Sequence, residues 1–281
     1  MRLVVDAGGT HIRYAIEQNE KLSDVVDCKS KDLGLRELIE SVIEQYPKIK
    51  NISLSYAGQV RDGVIISAPN RKGDEGNIKS YFEQKYELEL LIENDLYCAA
   101  LAEAKFFESQ DICALYVGTG LGLGVMSGGK ILAGYSNIAT ELGHIPYKKA
   151  PFVCGCGRDN CMELFASGLA LLKWKEHYGL ASEMTFADLQ KSSNPHAKEI
   201  VALFEEALIY AAGITITLFN PEVLVLGGGV IEQNSSLVSR VSKNIENYAF
   251  ALSAKECTIL KTNLQNAPLR GALLLKEHTN G

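Results

Sequence analysis

The pattern of apolar and polar positions alternates between strand and helix character along most of the 281-residue chain. Leu3–Asp6 is a short apolar run that leads into glycines, as a buried strand does, whereas Leu35–Gln45 has its apolar residues at helical spacing. Further strands are predicted at Arg13–Glu17, Lys21–Asp27, Ile52–Tyr56, Leu90–Glu93, Cys113–Val117 and Val223–Leu226, and further helices at Leu96–Phe107 and 196–219. This alternation favours an α/β fold.

Three of the predicted strands lead into glycine-rich turns, at Gly8-Gly9-Thr10, Gly118-Thr119-Gly120 and Gly227-Gly228-Gly229. Backbone N–H groups of such turns bind phosphates, because glycine lets an oxygen approach closely, but glycine also serves ordinary turns. The Walker-type motif and the dinucleotide fingerprint G-x-G-x-x-G are both missing from the sequence. The first two strand-and-turn units are alike, which predicts two duplicated lobes, 1–110 and 111–281, with a cleft between them.

The composition of the chain is typical of a globular protein and disfavours nucleic-acid-binding and membrane proteins. Apolar residues make up 47% of the chain and charged residues 22%, which suffices for a sizeable core, and the net charge of −6 argues against a nucleic-acid partner. The N-terminus soon meets Asp6, and the apolar run Ala207–Phe219 is too short to cross a bilayer, so we expect no targeting or membrane segment. Seven cysteines without an export signal favour a reduced, cytoplasmic protein.

One stretch of the chain holds four candidate zinc ligands, namely His144, Cys154, Cys156 and Cys161. Three thiolates and one imidazole suit tetrahedral zinc, and four protein ligands leave no open position for a catalytic water. The zinc is therefore expected to be structural and to fix the loop that carries Glu141 and Glu163. His144 alone would be interpreted as a core histidine, but the spacing of the cysteines favours the metal.

Two aspartates stand where phosphate chemistry needs a carboxylate. Asp6 ends a strand two residues before Gly8, where it could hold hydrated Mg2+ beside a phosphate. Asp95 stands just before the helix Leu96–Phe107, where it could be a general base in a cleft or the N-cap of the helix. Its position alone favours the cap.

Taken in order, these motifs resemble those of the ROK family of bacterial sugar kinases, open reading frames and repressors, within the actin-like, hexokinase-like ATPase superfamily. The likeness spans nearly the whole chain, and the Glu-x-Gly-His and cysteine signature is its most specific part. The matching motifs are Asp6-Ala7-Gly8-Gly9-Thr10, Pro69-Asn70, Glu93-Asn94-Asp95, Gly118-Thr119-Gly120, Glu141-Leu142-Gly143-His144, Cys154-Gly155-Cys156-Gly157, Cys161-Met162-Glu163 and Gly227-Gly228-Gly229. The resemblance implies a two-lobed actin-like (ribonuclease H-like) α/β fold, with the C-terminal helix packed on the first lobe.

The resemblance also implies a role for each motif. Asp95 matches the catalytic base, which accepts a proton from a sugar hydroxyl as that oxygen attacks the γ-phosphate of ATP. Sugar contacts are implied for Asn70, Asn94, Asp95, Glu141, His144 and Glu163. ATP contacts, with Mg2+ accompanying the nucleotide, are implied for Asp6, Gly8, Gly9, Thr10, Gly118, Thr119, Gly120, Gly227, Gly228 and Gly229. A homodimer formed through the C-terminal lobe is implied as well.

The chain departs from the family pattern in several places, at His11, Ala57, 71–75, Thr140 and Asn160. His11 stands where the family often has lysine after the first phosphate motif, and Thr140 stands where it often has glycine. These departures preserve the scheme of ATP and a sugar, but they leave the particular hexose open.

Three functions are compared on this basis. The predicted one is MgATP-dependent phosphorylation of a hexose, with glucose to glucose 6-phosphate as the first choice, and with N-acetylglucosamine, N-acetylmannosamine, mannose or fructose as alternatives. A repressor would carry a helix-turn-helix domain ahead of Asp6, for which we expect no room, so the second function is a sugar sensor that does not bind DNA. The third, a zinc-stapled binding domain with a dead site, is disfavoured by the presence of Asp6 and Asp95.

Overall fold

A computed structural model describes residues 1–19, 21–30, 34–67 and 76–275. Its strands are β1 (Arg2–Ala7), β2 (His11–Gln18), β3 (Lys21–Leu22), β4 (Val26–Lys29), β5 (Asn51–Tyr56), β6 (Gln59–Arg61), β7 (Val64–Ser67), β8 (Gly76–Asn77), β9 (Glu89–Asn94), β10 (Ile112–Val117), β11 (Leu121–Ser127), β12 (Lys130–Ile131), β13 (Val223–Gly227) and β14 (Thr258–Lys261). Its α-helices are α1 (Leu35–Gln45), α2 (Ile78–Tyr86), α3 (Asp95–Phe107), α4 (Gly168–His177), α5 (Phe186–Lys191), α6 (Pro195–Phe219), α7 (Gly229–Gln233), α8 (Ser236–Asn244), α9 (Ala251–Glu256) and α10 (Ala267–Ala272).

The chain forms two compact units. Unit 1 contains Met1–Phe106, Ala133–Ala139 and the described residues from Leu264 on, and unit 2 contains Phe107–Leu132 and Thr140–Asn263. The main sheet of unit 1 has the strand order β3-β2-β1-β5-β9, with β4 also paired to β2. β1 and β2 form an antiparallel hairpin, whereas β1, β5 and β9 run parallel. A small sheet of β6, β7 and β8 completes the strands of this unit.

Alternate residues of β1 face two separate apolar layers. Leu3 and Val5 belong to the layer that contains the buried face of α1. Val4 belongs to the opposite layer, with Cys98 of α3 and Leu269 of α10. The sheet is thus buried on both faces at β1, which explains why this strand is a continuous apolar run in the sequence.

The observed units differ from the predicted lobes, 1–110 and 111–281, at two places, whereas the packing of the C-terminal residues on unit 1 was expected. The first segment of unit 1 ends at Phe106, at the end of α3. Residues 133–139 join unit 1, where Tyr97 donates a hydrogen bond to the Ala139 carbonyl. Residues from Leu264 on join it because α10 packs on β1 and β5. This packing depends on Gly271, at which a Cβ would overlap the carbonyl of Cys98.

The main sheet of unit 2 has the order β12-β11-β10-β13-β14. β10 and β11 are antiparallel, and β10, β13 and β14 run parallel. This arrangement repeats that of unit 1, in which a hairpin is followed by two parallel strands on the other side of its first strand. The duplication predicted from the two strand-and-turn units is therefore confirmed.

Helix α6 is the long core helix of unit 2. It begins after Asn194, whose side chain caps the first turn, and ends at Asn220 in a left-handed conformation. The helix was predicted over 196–219, but only its apolar run Ala207–Phe219 was judged for membrane crossing; the whole helix has 25 residues and is long and apolar enough to cross a membrane. Within the protein, 61% of its most apolar window is buried. This burial is typical of a core helix.

Most predicted elements agree with the structure to within two residues, but one strand prediction was wrong. Lys21–Asp27 forms two strands, β3 and β4, which both pair with β2. Between them Ser23 accepts a hydrogen bond from the Ile16 N–H through its hydroxyl and donates its own N–H to the Ile16 carbonyl. These side-chain and backbone bonds end the β3 pairing and let the chain leave the sheet before β4 begins.

Candidate active site and metal centre

Three acidic or polar side chains meet at the carboxyl edge of the unit 1 sheet. Asp6, Ser55 and Glu93 are register partners on β1, β5 and β9. The Asp6 carboxylate is buried and accepts a hydrogen bond of 3.0 Å from the Ser55 hydroxyl. Asp95 begins α3, two residues beyond Glu93. Carboxyl ends of parallel strands are common binding edges of α/β proteins.

Cys98 shows how closely these acids are placed. It is completely buried, and its pKa is raised first by burial and then by the negative charges of Glu93, Asp6 and Asp95. The three carboxylates therefore share one region of unit 1. A concentration of negative charge beside a glycine turn is a reasonable place for a hydrated divalent cation.

The first phosphate turn, Gly8-Gly9-Thr10, connects β1 to β2. Ser30 holds it from the side, because its hydroxyl donates to the Gly8 carbonyl at 3.0 Å and its N–H donates to the Thr10 carbonyl at 2.9 Å. A Cβ at Gly8 would come within 3.0 Å of the His11 carbonyl, so the tight turn favours glycine there.

Basic groups lie next to this turn. Arg13 lies opposite Asp6 in the β1–β2 hairpin, with 3.9 Å between Nη1 of Arg13 and Oδ2 of Asp6. The carboxylate of Asp27, on β4, contacts the side chains of Arg13 and His11. Its Oδ2 atom is 2.9 Å from Nε of Arg13, and its Oδ1 atom is 2.5 Å from Nδ1 of His11. His11 is a departure from the family pattern, whereas Arg13 was not predicted as a site residue. The hairpin register, which places residues 6 and 13 opposite each other, is the signal that could have found it.

Asn94 caps α3. The side-chain oxygen of Asn94 accepts from the N–H groups of Leu96, at 2.9 Å, and Tyr97, at 3.3 Å, while its amide donates to the Gly58 carbonyl at 3.0 Å. The Asp95 carboxylate also accepts from the Leu96 N–H, at 3.0 Å, but the bond to the Tyr97 N–H is made by Asn94. The cap that the sequence analysis considered for Asp95 is thus provided by its neighbour. Asn94 was predicted to contact the sugar, and most of its hydrogen-bonding capacity is already used within unit 1.

The second and third glycine turns lie at one edge of the unit 2 sheet, because β10 and β13 run parallel with Tyr116 paired to Gly227. Gly228 has φ +86, and a Cβ there would lie 2.6 Å from the Val117 carbonyl, so only glycine fits. The turn at residues 118–120 is tied to the start of α4, since the Gly168 N–H donates to the Gly118 carbonyl at 2.8 Å. The ends of β10 and β13 and the starts of α4 and α7 thus present backbone N–H groups that can bind phosphate oxygens.

The four predicted zinc ligands of unit 2 are brought together as one cluster. Their ligand atoms all lie within 4.8 Å of one another. The Sγ atoms of Cys156 and Cys161 are 3.3 Å apart, and the Sγ atom of Cys154 is 3.6 Å from Nδ1 of His144. Tetrahedral zinc with bonds of about 2.0–2.3 Å places its ligands about 3.5–3.8 Å apart. The side chains therefore fit the ion.

The thiols of this cluster differ in acidity. Burial raises the pKa of both Cys154 and Cys161. For Cys156 burial also acts to raise the pKa, but hydrogen bonds from Arg158 outweigh it and lower the pKa to about 6. Arg158 also donates to the His144 carbonyl at 2.6 Å, so it closes the loop around the cluster.

Glu141 and Glu163 lie against the metal cluster, as expected. Nε2 of His144 faces the Glu141 carboxylate at 3.8 Å, while Nδ1 faces the cysteines. One oxygen of Glu163 accepts from the Leu121 N–H at 3.2 Å, and the other lies 3.4 Å from the Cys154 sulfur. Glu163 therefore links the strand after the second glycine turn to the cluster.

The departures from the family pattern at Thr140, Asn160 and 71–75 differ in what the structure shows of them. Thr140 has φ 65, a left-handed conformation that suits glycine, and its hydroxyl donates to the Leu123 carbonyl at 2.7 Å. Asn160 does not adopt a left-handed conformation, so the position does not require glycine for its backbone. Asn70 and residues 71–75 lie outside the described residues, so the sugar contact of Asn70 stays a prediction.

Comparison with known proteins places the chain in a family. It matches the ROK family over residues 2–279. The N-acetyl-D-glucosamine kinase of Vibrio vulnificus (strain YJ016) is 30% identical over 301 residues, which cover 96% of this chain and 97% of the relative. The glucokinase of Streptomyces coelicolor is 26% identical over 274 residues, or 87% of this chain and 86% of the relative.

The fold has solved counterparts. The crystal structure of a ROK family glucokinase from Streptomyces griseus in complex with glucose and AMPPNP superposes with a TM-score of 0.79 at 23% identity. The similarity covers 96% of this chain and 97% of the other. The two-lobed actin-like fold predicted from the motifs is therefore confirmed, and the chain belongs to the ROK family.

Proposed function

We propose that the chain transfers the γ-phosphoryl group of ATP to the 6-hydroxyl of a gluco-configured hexose. Its relatives along nearly the whole chain are sugar kinases, so the chain is an ATP-dependent sugar kinase. The observation that carries the site assignment is the edge of the unit 1 sheet, where Asp6 and Asp95 share one acidic region beside a glycine turn while Asn94 caps the helix. Asp95 is therefore not needed as the cap.

In the proposed reaction the Asp95 carboxylate accepts the proton of the sugar hydroxyl as its oxygen bonds to the γ-phosphorus. The bond between that phosphorus and the β,γ-bridging oxygen breaks, and ADP leaves with the electron pair. Mg2+ bound with ATP neutralises phosphate charge, and the buried Asp6 carboxylate, an oxygen ligand of the type Mg2+ prefers, would hold its water shell. The N–H groups of the turn at Gly8-Gly9-Thr10 would bind phosphate oxygens.

For unit 2 we propose two tasks. The turns at residues 118–120 and 227–229 bind phosphate and adenosine through their backbone N–H groups. The zinc cluster fixes Glu141, Glu163 and the Nε2 side of His144, which bind sugar hydroxyls. The bridging position of Glu163, between the Leu121 N–H and the Cys154 sulfur, supports this division. The resulting enzyme is expected in the cytoplasm, where ATP and the sugar are available.

The choice of sugar is tested by an acceptor panel. Glucose is the acceptor that the sequence predicts, and N-acetylglucosamine is the second candidate because a relative with that activity is 30% identical over most of the chain. We expect kcat/KM for glucose or N-acetylglucosamine to exceed that for mannose, N-acetylmannosamine and fructose at least about tenfold, since a misfitting substituent costs about 1–3 kcal/mol. A coupled ADP-release assay measures this.

The panel has two contrary outcomes. A preference for a manno-configured sugar would overturn the gluco assignment while keeping the kinase. No ADP release with any sugar, together with measurable sugar binding by calorimetry, would instead support the non-catalytic sensor.

A homodimer is the second proposal, and an exposed apolar patch on unit 2 supports it. The patch consists of Tyr210, Leu218, Tyr248, Phe250 and Leu252. Leu218 is 67% exposed and Leu252 is 65% exposed, which is unusual for large apolar side chains. The patch is continuous where the Phe250 N–H donates to the Thr217 hydroxyl on α6.

Replacing one patch residue should break the dimer. We expect Leu252→Glu to convert a species of about twice the chain mass into the monomer, because a buried, unpaired carboxylate opposes association. Light scattering coupled to size exclusion measures the mass. Val26→Glu, at an exposed apolar residue on β4 of unit 1, is the matched control and should remain dimeric. A monomeric wild type would refute the dimer, and a dimeric Leu252→Glu variant would remove this patch as its interface.

A further inference from the structure

Residues 133–139, here called the crossing segment, leave unit 2 after Leu132 and return to it at Thr140. The crossing segment belongs to unit 1, although β12 before it and Glu141 after it belong to unit 2. A short segment that changes unit needs specific contacts to hold it, because seven residues bury little apolar area. Its contacts lie beside the predicted catalytic base.

Asn137 provides the central contact of the crossing segment. Its side-chain amide donates to the Val60 carbonyl at 2.8 Å and to the Glu93 carboxylate at 2.9 Å, so both amide hydrogens are used. The Tyr97 hydroxyl adds a bond to the Ala139 carbonyl at 3.1 Å. Asn137 also has φ 60, a left-handed conformation that asparagine tolerates better than most residues with a side chain.

Glu93 connects Asn137 to the start of α3, where Asp95 lies. The same Glu93 oxygen that accepts from Asn137 also accepts from the Asn94 N–H, at 2.7 Å. Asn94 in turn caps α3, which begins at Asp95. A chain of hydrogen bonds therefore runs from Asn137 through Glu93 and the Asn94 peptide to the first residue of the helix.

We propose that Asn137 is a positioning residue for phosphoryl transfer, which holds Asp95 in place by fixing Glu93 and the Asn94 peptide. The inference rests on the proposed function, since it assumes that Asp95 is the base. A neutral amide suits this task, because it satisfies Glu93 by charge-assisted hydrogen bonds without adding a cation beside Asp95. Misplacement of a catalytic group by about 1 Å can cost about 10²-fold in rate.

Two substitutions of Asn137 distinguish the effect of its side-chain amide from the effect of its left-handed backbone conformation. Asn137→Gly keeps the left-handed conformation but removes both donors, and we expect kcat to fall at least about tenfold while KM for sugar and for ATP changes less than about threefold. Asn137→Asp places an acceptor and a like charge against Glu93, so its kcat should be lower still. Thermal melting and sugar binding by calorimetry are measured on every variant.

The double variant Asn137→Asp with Glu93→Gln is the rescue. The neutral glutamine removes the like charge that faces the introduced carboxylate, and its oxygen can still accept from the Asn94 N–H, so the repulsion is relieved and the net charge of the pair is kept. We expect kcat to recover relative to Asn137→Asp alone. Asn19→Gly is the matched control, because Asn19 also has a left-handed φ of 51 but lies in the exposed turn after β2, and it should keep wild-type kcat.

The outcomes are distinct. If the wild type phosphorylates a sugar and Asp95→Asn does not, while Asn137→Gly keeps full kcat, the positioning role is overturned and the kinase assignment stands. A parallel loss of kcat, sugar binding and melting temperature, with no rescue by the double variant, would show a merely structural clamp and overturn the proposal as well. A wild type without turnover on any sugar would remove both proposals together.

Discussion

Asp95→Asn is expected to lower kcat for sugar phosphorylation by about 10²- to 10⁴-fold, the range that general-base assistance contributes. The amide has the size of the carboxylate but cannot accept the proton of the sugar hydroxyl. The substitution should not disturb the start of α3, because Asn94 provides its cap. The coupled ADP-release assay measures the rate, and calorimetry should show sugar affinity within about threefold of the wild type.

The control for this experiment is Asp24→Asn, an exposed aspartate between β3 and β4. It makes the same chemical change in the same unit and should leave kcat and the melting temperature unchanged. Retained activity in Asp95→Asn would remove Asp95 as the base. Equal loss of activity and of sugar binding would instead assign Asp95 to sugar binding, with the proton accepted elsewhere.

Cys156→Ser is expected to empty the zinc cluster, because serine is a poor zinc ligand and three remaining ligands leave the tetrahedron open. Cys156 is the exposed member of the cluster, so its replacement costs little packing. Elemental analysis should show zinc falling from about one per chain to near zero. KM for the sugar should rise about 10- to 100-fold, the range for losing the groups that orient a site, while KM for ATP changes little.

Cys28→Ser is the matched control, since Cys28 lies in unit 1 on β4, outside the cluster. It should keep its zinc, its melting temperature and its KM values. A wild-type protein that is fully active without metal would contradict the zinc proposal. A metal-free Cys156→Ser variant with unchanged sugar KM would confine the zinc to a role in stability, and Glu141 and Glu163 would then need another support.

The local features of this protein could be predicted from its sequence because the residues that form them are close together in the chain. Helix α1 was predicted with its observed bounds, since its five buried residues repeat at helical spacing. The zinc cluster was predicted for a similar reason, because three of its ligands lie between Cys154 and Cys161. A single loop can gather ligands at such spacing without help from distant elements.

Features that depend on the register and backbone pairing of neighbouring strands were missed or left open. The position of Arg13 opposite Asp6 follows from the register of the β1–β2 hairpin, which the sequence pattern did not fix. The split of Lys21–Asp27 into two strands depends on hydrogen bonds between Ser23 and Ile16 of the neighbouring strand. Periodicity describes which face of an element is apolar, but it does not state which backbone groups pair.

The sequence by itself determined the α/β class, the duplicated strand-and-turn units, the family and the four candidate zinc ligands, because motif spacing and local periodicity carry that information. Only the tertiary structure decided that Asp6, Glu93 and Asp95 share one region and that Asn137 contacts Glu93. The physical reason is the parallel pairing of β1, β5 and β9, together with a segment that joins unit 1 from far along the chain. Asn137 and Glu93 are 44 residues apart in the chain, a distance over which no local pattern specifies a partner.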